Sequence, residues 1–205
     1  MTRLNHFKSL ALFLRFSSYL FTLSAISAFI AGIDPLATGV LMLFGVGLQF
    51  YLYEDIGRFQ SVSLKNISKH LLLLMFLLLI YNQLNLPQPQ NNQALIQAIT
   101  NRPILARITI GFILSIITPL AEELLFRGEI NRFLDPFRLN PYLQMGVVAS
   151  LFALSHGARH PIDFLVYLTL GLVFDHASKQ SLTDAVLTHG LYNAISLIFI
   201  WMVEF

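Results

Sequence analysis

The sequence predicts an all-α, polytopic transmembrane bundle of about seven spans, and three observations carry that reading. Apolar residues make up 56% of the 205-residue chain and charged residues only 12%, about half the charged share of a soluble domain. Mean hydropathy is +0.67. Apolar stretches approaching the roughly 20 residues that cross a hydrocarbon core recur along the whole length, punctuated by Gly, Pro, Asn and Asp.

The first stretch, Leu10–Ala31, follows a basic start holding Arg3 and Lys8 and includes Arg15. It is too long for a signal-peptide h-region and other spans follow it, so it reads as an uncleaved first span that directs insertion. Pro35–Tyr53 is set off by Gly32-Ile33-Asp34-Pro35, and His70–Leu86 is rich in leucine. The polar run Pro87-Gln88-Pro89-Gln90-Asn91-Asn92-Gln93 then divides the chain. Three spans lie in residues 1–86, a polar linker in 87–103 and a four-span core in 104–205. The core holds Ile104–Phe133, Pro141–His156, Pro161–Phe174 and Leu182–Val203, broken at Asp135-Pro136, Asn140-Pro141 and His160-Pro161. The fifth and sixth stretches are short, which suits a re-entrant segment or a locally thinned bilayer. No internal repeat is visible.

Basic residues sort the loops. Arg3 and Lys8, then Arg58, Lys65 and Lys69, then Arg132 and Arg138, then Lys179 fall on one side. The alternate loops hold Asp34, then Arg102 and Arg107, then Arg159. The bias predicts a cytoplasmic N-terminus in a plasma (inner) membrane. Tyr51, Tyr53 and Trp201 sit near span ends and suit interfacial anchoring.

Several function classes drop out. The chain has no cysteine, which removes disulfides, a thiol nucleophile and thiolate metal sites. A net charge of +2, with scattered basic residues, gives no footing for a nucleic-acid partner. There is no HExxH, no GxSxG elbow and no aspartate pair in a GxGD context.

What remains is concentrated in the core. Glu122 and Glu123 lie side by side just after the apolar run Ile108 to Ile117. A carboxylate in such a segment costs at least a few kcal/mol, which makes it a functional candidate. Phe152-x-x-x-His156 and His189-x-x-x-Asn193 follow in later spans. Glu122 lies 17 residues before Leu139, at the centre of the turn, and His156 lies 17 after it. A helical hairpin rising ~1.5 Å per residue brings the two to similar depth. Glu123 and Arg127 are spaced i,i+4 with the acid N-terminal, the favourable order for a helical ion pair. That pairing neutralises one carboxylate and leaves Glu122 as the general base. Phe152 and His156 share a face, as do His189 and Asn193, and the last two can aim two donors at an oxyanion.

Each motif also has a plain structural use, as interhelical hydrogen-bonding or ion-pair glue. Three together in one half of the chain favour chemistry. Asp55, Asp135, Asp163 and Asp184, with His6, His70, His160 and His176, lie at span ends and read as solvated or capping groups. The aromatic residues read as packing and lipid contact.

Glu122-Glu123-Leu124-Leu125-Phe126-Arg127-Gly128 resembles the EExxxR motif of the CAAX-protease and bacteriocin-processing (CPBP, or Abi) family. Phe152 to His156 resembles its FxxxH motif and His189 to Asn193 its HxxxN motif, in the family's order, over about Ile104 to Phe199. The family includes type II CAAX prenyl endopeptidases, which cut after a prenylated cysteine, and members tied to bacteriocin processing or immunity. The resemblance implies an intramembrane endopeptidase. Glu122 activates water with help from His156, His189 and Asn193 bind the oxyanion, and Glu123, Arg127 and Phe152 support them.

The chain is shorter than prenyl endopeptidases usually are, which favours a membrane peptide or small membrane protein as substrate. No cofactor is expected. The alternative is a divalent zinc held by Glu122, His156 and His189, with water as fourth ligand. The rival function is non-catalytic: an immunity factor, or a proton or cation transporter using Glu122 and the histidines. A transporter should show inverted repeats or paired broken helices, and the sequence has neither. The expected partners are the lipid bilayer and a membrane substrate.

Overall fold

In a computed structural model the protein is described over residues 3–30, 32, 35–52, 59, 62–84, 86, 87, 89–100, 102–158 and 160–203. Asp34, Tyr53, Asp55, Arg58 and Arg159, and the side chains of Arg3, His6 and Lys8, lie outside the described residues.

The described residues are helical with no strand, so the all-α expectation holds. In order the helices are α1 Arg3–Ile30, α2 Pro35–Leu52, α3 Leu64–Gln83, α4 Gln90–Thr100, α5 Ile104–Phe137, α6 Pro141–Ser155, α7 Pro161–Ser178 and α8 Leu182–Val203. Among the described residues three segments are long and apolar enough to cross a bilayer: Leu64–Gln83, Ile104–Phe137 and Leu182–Met202. Phe13–Phe29, Ala37–Tyr51 and Pro141–Ser155 are shorter apolar helices. The protein is an integral membrane protein. α7 falls in neither group, its apolar pattern broken by Asp163, Asp175 and His176.

Two elements differ from the sequence reading, each for a physical reason. α3 starts at Leu64, before His70, because Ser63 caps it by accepting from the Asn66 backbone N–H at 3.3 Å. Lys65, Asn66 and Lys69 depress the local hydropathy and hide that first turn. The polar stretch 87–103 contains α4, whose Leu95, Ile96 and Ile99 sit on one stripe behind a run of amides. Ile99 is fully buried against Ile110 and Leu197. Trp201 packs half-buried against this same cluster, over Gly111.

The core centres on Phe126, Phe152 and Phe174, with Tyr19 and Leu74 reaching in from α1 and α3. α1 and α2 run along each other, and so do α6 and α7. At the N-terminal end of α8 a polar cluster closes the bundle. Asp184 accepts from the Ser63 N–H at 2.9 Å and from Asn66 Nδ2 at 2.7 Å. His70 bonds the Asn66 carbonyl at 2.7 Å and His176 at 2.8 Å. His70, Asp163 and Asp184 are buried, where a solvated or capping place at a span end was expected. The partners of Asp184 come from the start of α3 and one partner of His70 from α7, which satisfies these polar atoms without water.

Candidate active site

The geometry of α5 sets the site. Two π-helical segments, Ile113–Ile117 and Leu124–Ile130, flank the short α-helical stretch Thr118–Glu123 that carries both carboxylates. π turns inside α-helices are uncommon and often mark functional positions. Here they release backbone carbonyls. The Thr118 N–H reaches back five residues to the Ile113 oxygen, leaving the Leu114 carbonyl without its usual helical donor. Pro119 has no N–H, so the Ser115 carbonyl loses its i+4 donor too. α8 docks on this exposed strip. Asn193 Nδ2 donates to the Leu114 oxygen at 2.9 Å. Gly190 passes so close to the Ser115 oxygen that a Cβ there would collide with it.

On the next turns Glu123 and Arg127 are fully buried and paired at 3.1 Å. Arg127 also donates to the Gly171 carbonyl at 2.6 Å, and its guanidinium lies 4.9 Å from the Phe152 ring centre. Glu123 Oε1 accepts a second hydrogen bond, from His189 Nδ1 at 2.9 Å. One carboxylate oxygen thus joins the arginine of α5 to the histidine of α8.

His156 arrives from the opposite side. Gly157, at φ +69°, takes the left-handed conformation that stops α6, leaving His156 as the C-cap residue. Its Nδ1 donates to the Phe152 carbonyl at 2.9 Å. Phe152 touches the His156 ring at 4.4 Å and the Phe126 ring at 5.3 Å between centres.

Both imidazoles therefore commit Nδ1–H to an acceptor and leave Nε2 as a lone pair. Both Nε2 atoms stand 3.8 Å from the same atom, Glu122 Oε2. That oxygen is buried and has no hydrogen-bond partner. A separation of 3.8 Å is too long for direct bonds and suits a bridging water. Glu122, His156, His189 and Asn193 line one cavity of about 330 Å³, closed on other sides by Asn92 of α4 and Tyr167 of α7.

The structure brings Glu122, Glu123, Arg127, Phe152, His156, His189 and Asn193 together within this one region. Among the described residues no group of three His, Cys, Asp or Glu side chains is arranged to hold a metal ion. Sequence reasoning missed four participants. Tyr167 and Phe174 of α7 lie against the imidazoles, and Asn92 of α4 holds the Tyr167 hydroxyl at 3.1 Å. Gly190 lies inside the HxxxN motif and admits the close approach of α8. The available signal was the seven-residue spacing of Tyr167 and Phe174, two turns on one helix face.

No curated protein matches the chain, and no solved structure does. Residues 104–195 match the family model described as Rce1-like, type II CAAX prenyl endopeptidase Rce1-like. That region contains all three motifs and α5 to most of α8. Over that stretch, somewhat under half of the chain, the protein is similar to the CAAX-type intramembrane protease family that its motifs resemble.

Proposed function

We propose that the protein hydrolyses a peptide bond in a membrane-associated peptide or protein, using water activated by Glu122 with His156. The observation that carries this is the orphaned Glu122 Oε2 facing two imidazole lone pairs at 3.8 Å. Three acceptors converge on one small volume. A water held there directs its protons at bases and turns its oxygen lone pairs outward to a scissile carbonyl. Glu122 takes a proton as the oxygen attacks, and the same proton can be returned to the departing amine. No acyl-enzyme forms.

His189 and Asn193 stabilise the oxyanion. The Nδ1–H of His189 is already committed to Glu123, so the ring donates to substrate through Nε2 in its protonated form, and in that form Glu122 and His156 are the two acceptors that hold the water. The Glu123 carboxylate balances that charge. Asn193 spends one amide hydrogen on Leu114 and keeps a second for substrate. Residues 104–205 form the catalytic core, the N-terminus faces the cytoplasm, and no metal takes part.

The test uses purified protein in nanodiscs with two fluorescence-quenched peptides, one a farnesylated CAAX peptide and one unprenylated and apolar. Cleavage of either is expected, with Glu122→Gln lowering the rate by about 10²–10⁴ at unchanged melting temperature. Full turnover by Glu122→Gln would overturn the assignment.

A further inference from the structure

α7 carries none of the three motifs, yet both active-site imidazoles rest on its rings. His156 stacks on Tyr167 with ring centres 4.5 Å apart and planes at 23°. His189 stacks on Phe174 at 4.2 Å and 14°. Both aromatic residues are buried, and their seven-residue spacing puts them on one face of α7. Between them Gly171 lets α6 approach: a Cβ there would meet the Ala149 backbone at 3.0 Å. The Gly171 carbonyl also receives the Arg127 hydrogen bond, which fixes α7 against α5.

An imidazole tied only through Nδ1 still swings about that bond. A flat ring packed against its face removes the swing and fixes where Nε2 points. Reactive groups need placement to within about 0.5 Å and 10–20°, and a 1 Å error can cost about 10²-fold in rate. We propose that Tyr167 and Phe174 are positioning residues that hold the planes of His156 and His189 so that both Nε2 atoms converge on Glu122. This rests on the assignment of those three residues to the chemistry. The two rungs differ in their support. Phe174 is locked in the aromatic core, whereas Tyr167 is also held through its hydroxyl by Asn92 of α4. The polar helix between the two halves is thereby joined to the His156 rung.

The test combines histidine NMR with kinetics on the full chain in nanodiscs. The chain has six histidines, and loss of a signal in His156→Gln and His189→Gln assigns the two rings. Stacking on an aromatic face displaces an imidazole Hε1 resonance by ring current, a signature that bulk packing does not produce. Tyr167→Leu should move the His156 signal and leave His189 in place. On whichever quenched peptide the wild type cleaves, it should lower kcat by about 10–10²-fold with little change in KM. Tyr167→Phe keeps the ring and should retain both the shift and most of the rate. Phe174→Leu should do to His189 what Tyr167→Leu does to His156, and decides the matter if Tyr167→Leu does not fold.

An unmoved His156 signal in folded Tyr167→Leu would overturn the proposal. So would a moved signal with full kcat, or a rate loss that Tyr167→Phe shares in full. Glu122→Gln serves as the control. If it keeps its turnover the assignment of Glu122 as the base falls, while the resonance shifts still report whether the rings stack. If it is inactive and Tyr167→Leu is not impaired, only the positioning role falls.

Discussion

The side-chain amide of Asn193 donates to the Leu114 carbonyl at 2.9 Å, on the strip of α5 that the first π-helical segment leaves open. Asn193 therefore serves the fold as well as the cavity it lines. Asn193→Ala should lower the melting temperature in detergent, because it orphans a part-buried carbonyl at a cost of about 1–3 kcal/mol. If its second amide hydrogen also serves an oxyanion, kcat per folded molecule should fall by about 10²–10³ with KM little changed. Asparagine does not titrate, so the pH optimum should stay in place. Measuring melting and kcat on one preparation separates the effects, and an early-melting variant with normal kcat removes Asn193 from the chemistry.

Glu123 is the junction between stability and positioning, since its Oε1 serves both Arg127 and His189. Glu123→Gln leaves the buried Arg127 cation without its counter-charge, and breaking such a pair costs about 3–5 kcal/mol. Adding Arg127→Met should restore much of the melting temperature. It should not restore kcat, because the His189 ring still lacks its carboxylate anchor. Recovery of both together would show that Glu123 acts on the fold alone.

Gly190 tests how closely α8 must dock. A Cβ at this position runs into the Ser115 carbonyl oxygen, which is backbone and cannot rotate away. Gly190→Ala should therefore lower stability by about 1–3 kcal/mol, against the usual small gain for alanine over glycine in a helix. It should also lower kcat, because it displaces His189 and Asn193 together. Unchanged melting and rate would mean that α5 and α8 stand further apart.

Much of the site was legible because its residues recur at helical spacings in strongly apolar segments. Glu122, His156 and His189 stand out there through the cost of burying them. The depth arithmetic for Glu122 and His156 works because a straight hairpin preserves register. The rest depended on tertiary partners. The π turns of α5 have no local sequence signature beyond Pro119, which only hints at a freed carbonyl. His70 and Asp184 look solvated along the chain because the groups that satisfy them, His176 and Asn66, lie on other helices. Tyr167 and Phe174 are indistinguishable by composition from rings that face lipid. α4 looks like a linker along the chain because amides at its start conceal the stripe that buries Ile99.

Outside the site, Arg15 of α1 pairs with Glu129 of α5 at 2.9 Å, and both are buried. This ion pair fastens the N-terminal helices to the core. Arg15→Leu should cost about 1.5–3 kcal/mol by removing a charged hydrogen bond, Arg132 staying 3.9 Å from the carboxylate, and Arg15→Leu with Glu129→Leu should recover most of it. Since neither residue lines the catalytic cavity, kcat per folded molecule should change little in the double variant. A double variant as unstable as the single one would show that the two do not act as a pair.

The last prediction concerns metal. Zinc requires ligand atoms about 2.0–2.2 Å from the ion, held by partners that fix their orientation. His156 and His189 have such partners in the Phe152 carbonyl and Glu123, and their Nε2 atoms face Glu122. Yet among the described residues the three groups are not arranged as a metal-binding cluster. Activity should survive prolonged treatment with a strong chelator, and added zinc should not raise it. Glu122→Gln should abolish turnover with or without metal, since the base itself is missing. If chelation stops cleavage, zinc restores it, and elemental analysis finds one zinc per chain, then Glu122, His156 and His189 are ligands and water is activated on the ion.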